Sequence, residues 1–147
     1  MKKLIVFILI VIVLCAINLN ALKDLTLSTI FPSAVCEVYL SSCEYEGGLK
    51  SCKNGEGQIV FCDVKELDYI LENYSAAGYT LKINGESVCA VVDKLSPLYK
   101  FNFGECSYGY CVKNLDSVVV DGKSVNFQIA EIDNFVLLGF PILLGCY

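Results

Sequence analysis

The residues that most often carry enzymatic chemistry are missing from this chain, which contains no His and no Arg. A Ser or Cys nucleophile needs a neighbouring base, so Ser-His-Asp and Cys-His mechanisms are excluded. Histidine-ligated metals and guanidinium clamps are excluded with them. Eleven Lys and sixteen Asp or Glu leave Ser–Lys or paired-carboxylate chemistry open, yet no S-x-x-K occurs and no acid pair stands out by its spacing. Gly55-Glu56-Gly57 is followed by Gln, Ile and Val and does not complete a G-x-G-x-x-G turn, and no P-loop string is present. Asp63, Glu66 and Asp68 lack the glycine and spacing of a calcium loop. No catalytic, cofactor-binding or metal-binding residue is therefore expected, and the chain reads as non-enzymatic. The net charge of −5 has the wrong sign for neutralising phosphates, so nucleic acid is not an expected partner.

Cysteine is the remaining reactive type, with nine in 147 residues. No C-x-x-C occurs, which removes thioredoxin-like motifs and the usual zinc knuckles. The tightest pair, Cys106 and Cys111, brackets Ser-Tyr-Gly-Tyr. If those four residues form a hairpin loop, the two side chains face each other, which makes Cys106–Cys111 the first candidate disulfide. Cys36/Cys62 and Cys43/Cys52 look nested, but their positions do not share the constant sum of a regular antiparallel ladder. Each of these bridges is expected to need a bulge or a loop. The alternative for all of them is a set of free thiols used as small apolar side chains.

The compartment bears on that choice. Lys2-Lys3 precede the uncharged run Leu4 to Ile17, the n-region and h-region of an export signal, and Ala21 is the expected last residue before cleavage. An uncleaved anchor reaching about Leu22 is the alternative, since nearly twenty apolar residues span a bilayer. Either way the expected organisation is a signal or anchor over 1–21 and one extracytoplasmic domain over 22–147. That domain holds nine Lys against sixteen acids, a net charge of −7, and an even eight cysteines. Even parity in an exported domain permits a disulfide framework.

The elements that must position these residues are mostly strands. Cys36, Val38 and Leu40 alternate with Glu37, Tyr39 and Ser41 in a strand expected to run from Ala34 to Glu46. Gln58 to Cys62 is a second strand, reached through the turn-rich Asn54-Gly55-Glu56-Gly57, and the two are expected to pair as a long hairpin. Asp63 and Glu66 form a D-x-x-E capping box ahead of Val64, Leu67, Ile70, Leu71 and Tyr74, an amphipathic helix closed by Gly78. This is the only helix expected in the exported domain. Tyr79, Leu81 and Ile83 alternate, Asn84-Gly85 signals a hairpin, and Ser87 to Val92 reads as the returning strand. Tyr99, Phe101 and Phe103 alternate before Gly104-Glu105, then Tyr108, Tyr110 and Val112 alternate on the way back. Core packing is the expected role of these aromatics, with a stacking platform as the alternative. Ser117 to Val120, Asp121-Gly122 and Lys123 to Ala130 form a further hairpin, with Val125, Phe127 and Ile129 inward. Phe135 to Leu138 and Ile142 to Leu144 complete the sheet. The expected fold is α+β: an antiparallel sheet of hairpins with one helix packed on it, preceded by the N-terminal hydrophobic helix.

Val120-Asp-Gly-Lys-Ser-Val-Asn-Phe-Gln-Ile-Ala130 and Leu138-Gly-Phe-Pro-Ile-Leu-Leu-Gly-Cys-Tyr147 resemble the ends of short exported proteins of low-GC Gram-positive bacteria, and also the tail of the larger YwmB-like secreted family. The resemblance covers about a fifth of the chain. It implies helices packed on a curved antiparallel sheet and supplies no catalytic residues. The chain departs from that family in its shorter length, its lack of Arg and its cysteines.

Two function classes follow from the residues. The first is an exported or membrane-anchored, non-enzymatic cell-envelope protein that acts through protein–protein contact, with an envelope protein as partner and the membrane a further contact if the N-terminal segment is kept. The second is an extracytoplasmic small-ligand binder, or an unusual lysine- or carboxylate-dependent enzyme, built on the Tyr/Phe-rich hairpins. A cysteine-based redox role is a weaker third.

Overall fold

The computed structural model describes residues 26–111 and 115–144. The signal or anchor expected over 1–21, its end at Ala21 and Cys146 all lie outside the described residues. Among the described residues no helix is long and apolar enough to cross a membrane.

Along the described chain, α1 (Leu27–Ile30) leads into β1 (Val35–Leu40), β2 (Ser51–Asn54), β3 (Gly57–Asp63) and α2 (Val64–Asn73). There follow β4 (Ala76–Asn84), α3 (Val88–Leu95), β5 (Tyr99–Phe103) and β6 (Cys106–Tyr110). The chain then runs through β7 (Val118–Val120), β8 (Lys123–Val125), β9 (Phe127–Ile132) and β10 (Phe135–Phe140). Eight strands form one sheet in the order β2-β3-β1-β4-β10-β9-β6-β5, and β7 and β8 form a separate ribbon. Every neighbouring pair is antiparallel. The architecture is thus mostly antiparallel sheet with a few short helices, compatible with the α+β class.

One face of this sheet is the core. Cys36, Val38 and Leu40 of β1, Val60 and Cys62 of β3, and Leu81 and Ile83 of β4 are buried there, joined by Val136 and Leu138 of β10 and Phe127 and Ile129 of β9. Alternation places them on one side because successive strand side chains point to opposite faces. Helix α2 covers β1 and β3 with Val64, Leu67 and Ile70, all buried. Its capping box closes as expected, the Asp63 N–H donating to Glu66 Oε2 at 3.1 Å. The helix stops at Asn73, short of Gly78, and Tyr74 is already extended.

Several expected elements differ. The strand expected over Ser87 to Val92 is helix α3, so a second helix of some length covers the sheet, packing toward β9. Ser87 caps it by accepting the Ala90 N–H at 3.3 Å, and Val88, Val91, Val92 and Leu95 recur at helical spacing along its inner side. Asn84-Gly85 is accordingly a strand-to-helix turn, with Gly85 at φ +73. Strand β1 ends at Leu40 instead of Glu46, and the hairpin partner of β3 through Gly55-Glu56 is the added strand β2. Strands β1 and β3 still pair along their whole length, from Val35 opposite Asp63 to Leu40 opposite Gln58. The run Lys123 to Ala130 is split at Asn126 between the small ribbon and the main sheet.

Residues Ile142 to Leu144 form no strand; after β10 they fold back over the reverse face of the sheet. Two glycines make room for them. A Cβ on Gly139 would lie 2.5 Å from the backbone of Ile142 and Leu143, and one on Gly78 would lie 2.6 Å from the Phe140 carbonyl oxygen and 2.7 Å from Leu144. The Leu143 N–H donates to Gln128 Oε1 at 3.0 Å and ties this segment down.

Candidate functional site

The cysteines are distributed by the strand register. Cys106 opens β6, directly opposite Phe103, and Cys111 lies one residue beyond the end of the same strand. The hairpin turn is Gly104-Glu105, so the residues between the two cysteines are strand and not loop. At roughly 3.3 Å per residue the two Cα atoms stand on the order of 16 Å apart, far beyond disulfide reach. The Cys106–Cys111 bridge is therefore corrected. Cys111 is buried, and its backbone is held by Asn126: the Cys111 N–H donates to Oδ1 at 2.9 Å, and Nδ2 donates to the Cys111 carbonyl at 2.8 Å. Cys36 and Cys62 are brought face to face across β1 and β3 without any bulge, because all six β1–β3 pairs share the position sum of this pair. Cys43 and Cys52 are exposed, and the Cys43 thiol donates to the Gly57 carbonyl at 2.9 Å. Cys89 is exposed on α3.

Among the described residues, no three cysteine or carboxylate side chains converge as metal ligands. Lys94 and Glu86 form an ion pair beside α3, where the lysine sits at the last turn of the helix. That position suits a cation for electrostatic reasons alone.

The aromatic hairpin is where the structure departs furthest from the sequence expectation. Strands β5 and β6 stand at the end of the sheet, with β5 as its outermost strand. Tyr108 pairs with Gln128 and Gly109 with Phe127. Phe127 and Ile129 face the core, so Tyr108 and its same-parity neighbours Cys106 and Tyr110 lie on the reverse face. Their partners Tyr99, Phe101 and Phe103 lie there too. Tyr99 stacks on Tyr110 with centroids 6.0 Å apart, Phe101 stacks on Tyr108 at 5.8 Å, and Phe103 meets Tyr108 edge-on at 6.5 Å. This ladder is not a closed core: Tyr99 is 40% and Phe103 53% exposed, while Phe101, Tyr108 and Tyr110 are half-buried. The helices are placed on the opposite face, so the rings pack mainly on one another.

The small ribbon braces one end of the ladder. The Tyr99 hydroxyl donates to the Ser124 carbonyl, and Lys123 Nζ sits 4.3 Å from the Phe101 ring centroid, a cation–π contact. Tyr99, Lys100, Phe101 and Lys123 border an open depression of about 410 Å³. Partial burial of Tyr108 holds its phenol above the usual tyrosine range. A second cleft of about 320 Å³ lies between Glu105, Cys106, Gln128, Ala130 and the folded-back Leu143. A third, of about 220 Å³, is lined by Leu71, Gly78, Tyr79, Leu115 and Pro141. Such a surface offers stacking, cation–π contact and, among the described residues, an unpaired strand edge. In comparison with known proteins, the chain matches no family model, no curated protein and no solved structure.

Proposed function

We propose that this chain is an exported or membrane-anchored, non-enzymatic protein of the cell envelope, which binds a protein partner through the outer edge of its aromatic hairpin. The carrying observation is the exposure of Tyr99 and Phe103 on β5, the terminal strand of the sheet. An edge strand presents a row of backbone N–H and C=O groups that a partner strand satisfies, and exposed rings beside it supply apolar contact and register. The signal-like N-terminus, the catalytically poor composition and the C-terminal resemblance to exported proteins support the location and the non-enzymatic reading.

The test is capture from envelope fractions after mild cross-linking, comparing the native chain with a Tyr99→Lys, Phe103→Lys double variant. The native chain is expected to retain a partner that the variant loses by tenfold or more, while both keep the same circular dichroism. Equal capture by both chains, or turnover of a substrate by the pure protein, overturns the reading.

A second reading rests on the depression at Tyr99, Lys100, Phe101 and Lys123, whose volume is at the low end for small-ligand sites, roughly 300–1,000 Å³. Two lysines beside two aromatic rings suit a planar or cyclic anion. Lys123→Met separates the readings, because it removes the anion contact and leaves the β5 edge intact.

A further inference from the structure

Cys36 and Cys62 are direct ladder partners on β1 and β3, and both are buried, at 0% and 5% exposure. The Val64 N–H donates to the Ala34 carbonyl at 3.1 Å, which sets the phase of the ladder. Antiparallel pairs alternate between hydrogen-bonded and non-hydrogen-bonded types, so two residues further along each strand Cys36 and Cys62 form a hydrogen-bonded pair. Cα atoms in such a pair are about 5.5 Å apart, inside the roughly 4.4–6.8 Å span of a disulfide. Both side chains enter the same core layer, since Val38 and Val60, the next same-face pair along the ladder, are buried beside them. Both are free thiols in the structure, set side by side by the register, and the Cys62 thiol, followed by burial, pushes the Cys36 thiol above its usual range. Cys52 lies opposite Ile59 and Cys106 opposite Phe103, so neither has a cysteine as its ladder partner.

We propose that Cys36 and Cys62 are the site of a cross-strand disulfide that staples β1 to β3 beneath helix α2. The oxidant is a disulfide-bearing thiol compound or oxidoreductase, acting while the chain folds and before α2 closes over the pair. One cysteine thiolate attacks the oxidant disulfide, forms a mixed disulfide and releases one thiol. The second cysteine thiolate then attacks the protein sulfur of that mixed disulfide and releases the other thiol. The protein loses two protons and two electrons, and one oxidant disulfide takes them up to become two thiols. The step requires no partner at the β5 edge and stands independently of the function proposed above.

The experiment uses the chain with Cys43→Ser, because Cys36 and Cys43 share the tryptic peptide 24–50 while Cys62 lies in 54–65. The reduced, unfolded protein is refolded in a mixture of oxidised and reduced glutathione, alkylated in denaturant and digested. The expected result is a product carrying two fewer alkyl groups than the reduced, fully alkylated chain, with 24–50 linked to 54–65 in most molecules. Its urea midpoint falls when a reductant is added. A Cys36→Val, Cys62→Val variant, made in the same background, is expected to keep the native circular dichroism and to show no such sensitivity to reductant. Recovery of peptides 24–50 and 54–65 separately alkylated, linkage of 54–65 to another peptide, or equal sensitivity in the double-valine variant overturns the proposal.

Discussion

Asn126 shows how one side chain holds two parts of this molecule together. It is fully buried at the break between β8 and β9, where its amide pairs with both backbone groups of Cys111 and its own N–H donates to the Gly109 carbonyl at 3.0 Å. The side chain thus replaces a missing ladder rung, and removing it takes two hydrogen bonds from the buried backbone of Cys111. Asn126→Ala is expected to cost about 2–6 kcal/mol, since losing each bond to a buried backbone group costs on the order of 1–3 kcal/mol. Urea denaturation checks this, and a loss under about 0.5 kcal/mol refutes it. Alternation with Val125 and Phe127 puts Asn126 on an outward position, and nothing in the sequence marks it as internal. A side chain that bonds to the backbone of a distant segment leaves no periodic trace.

At the scale of elements, packing on one face leaves its period in the sequence, and intrinsic preference can oppose the element that forms. Helix α2 was legible from its capping box and apolar stripe, and β1 from its alternation. Helix α3 was hidden because Val-Cys-Ala-Val-Val favours a strand by composition, although Ser87 and the spacing of Val88, Val91, Val92 and Leu95 carried the helical signal. The fold-back after β10 depends on a different feature, the absence of a side chain. Gly139→Ala is expected to destabilise by roughly 1–3 kcal/mol, because its Cβ meets backbone atoms of Ile142 and Leu143 that have little freedom to yield. Gly48→Ala, where nothing lies within 4 Å, is the matched control and should change stability by less than about 0.5 kcal/mol. Thermal denaturation of the two variants side by side decides the point; equal midpoints would show that residues 142–144 do not hold their place against Gly139.

The molecule as a whole has two unlike sheet edges and an alkaline limit to its stability. Strand β2 is short, fully exposed and carries Lys53, features that discourage pairing, whereas β5 offers exposed rings. Burial holds the Tyr79 phenol above its ordinary value of 10.0, with the neighbouring Cys36 and Cys111 thiols adding to the shift. A group raised in the folded state contributes stability that is fully present below its unfolded value and is lost as pH rises toward the folded one. The urea midpoint is therefore expected to hold through neutral pH and to fall above about pH 10, with Tyr79→Phe removing much of that fall; a midpoint unchanged up to pH 11 contradicts it. The sequence by itself determined the missing imidazole and guanidinium chemistry, the acidic balance, the strand-rich character and helix α2, because composition and local periodicity act within a few residues. Only the tertiary structure decided that Cys106 and Cys111 stand apart while Cys36 and Cys62 meet, and that the aromatic ladder faces outward. Register and sheet order set those outcomes, and both depend on which distant segments pair and which face the helices cover.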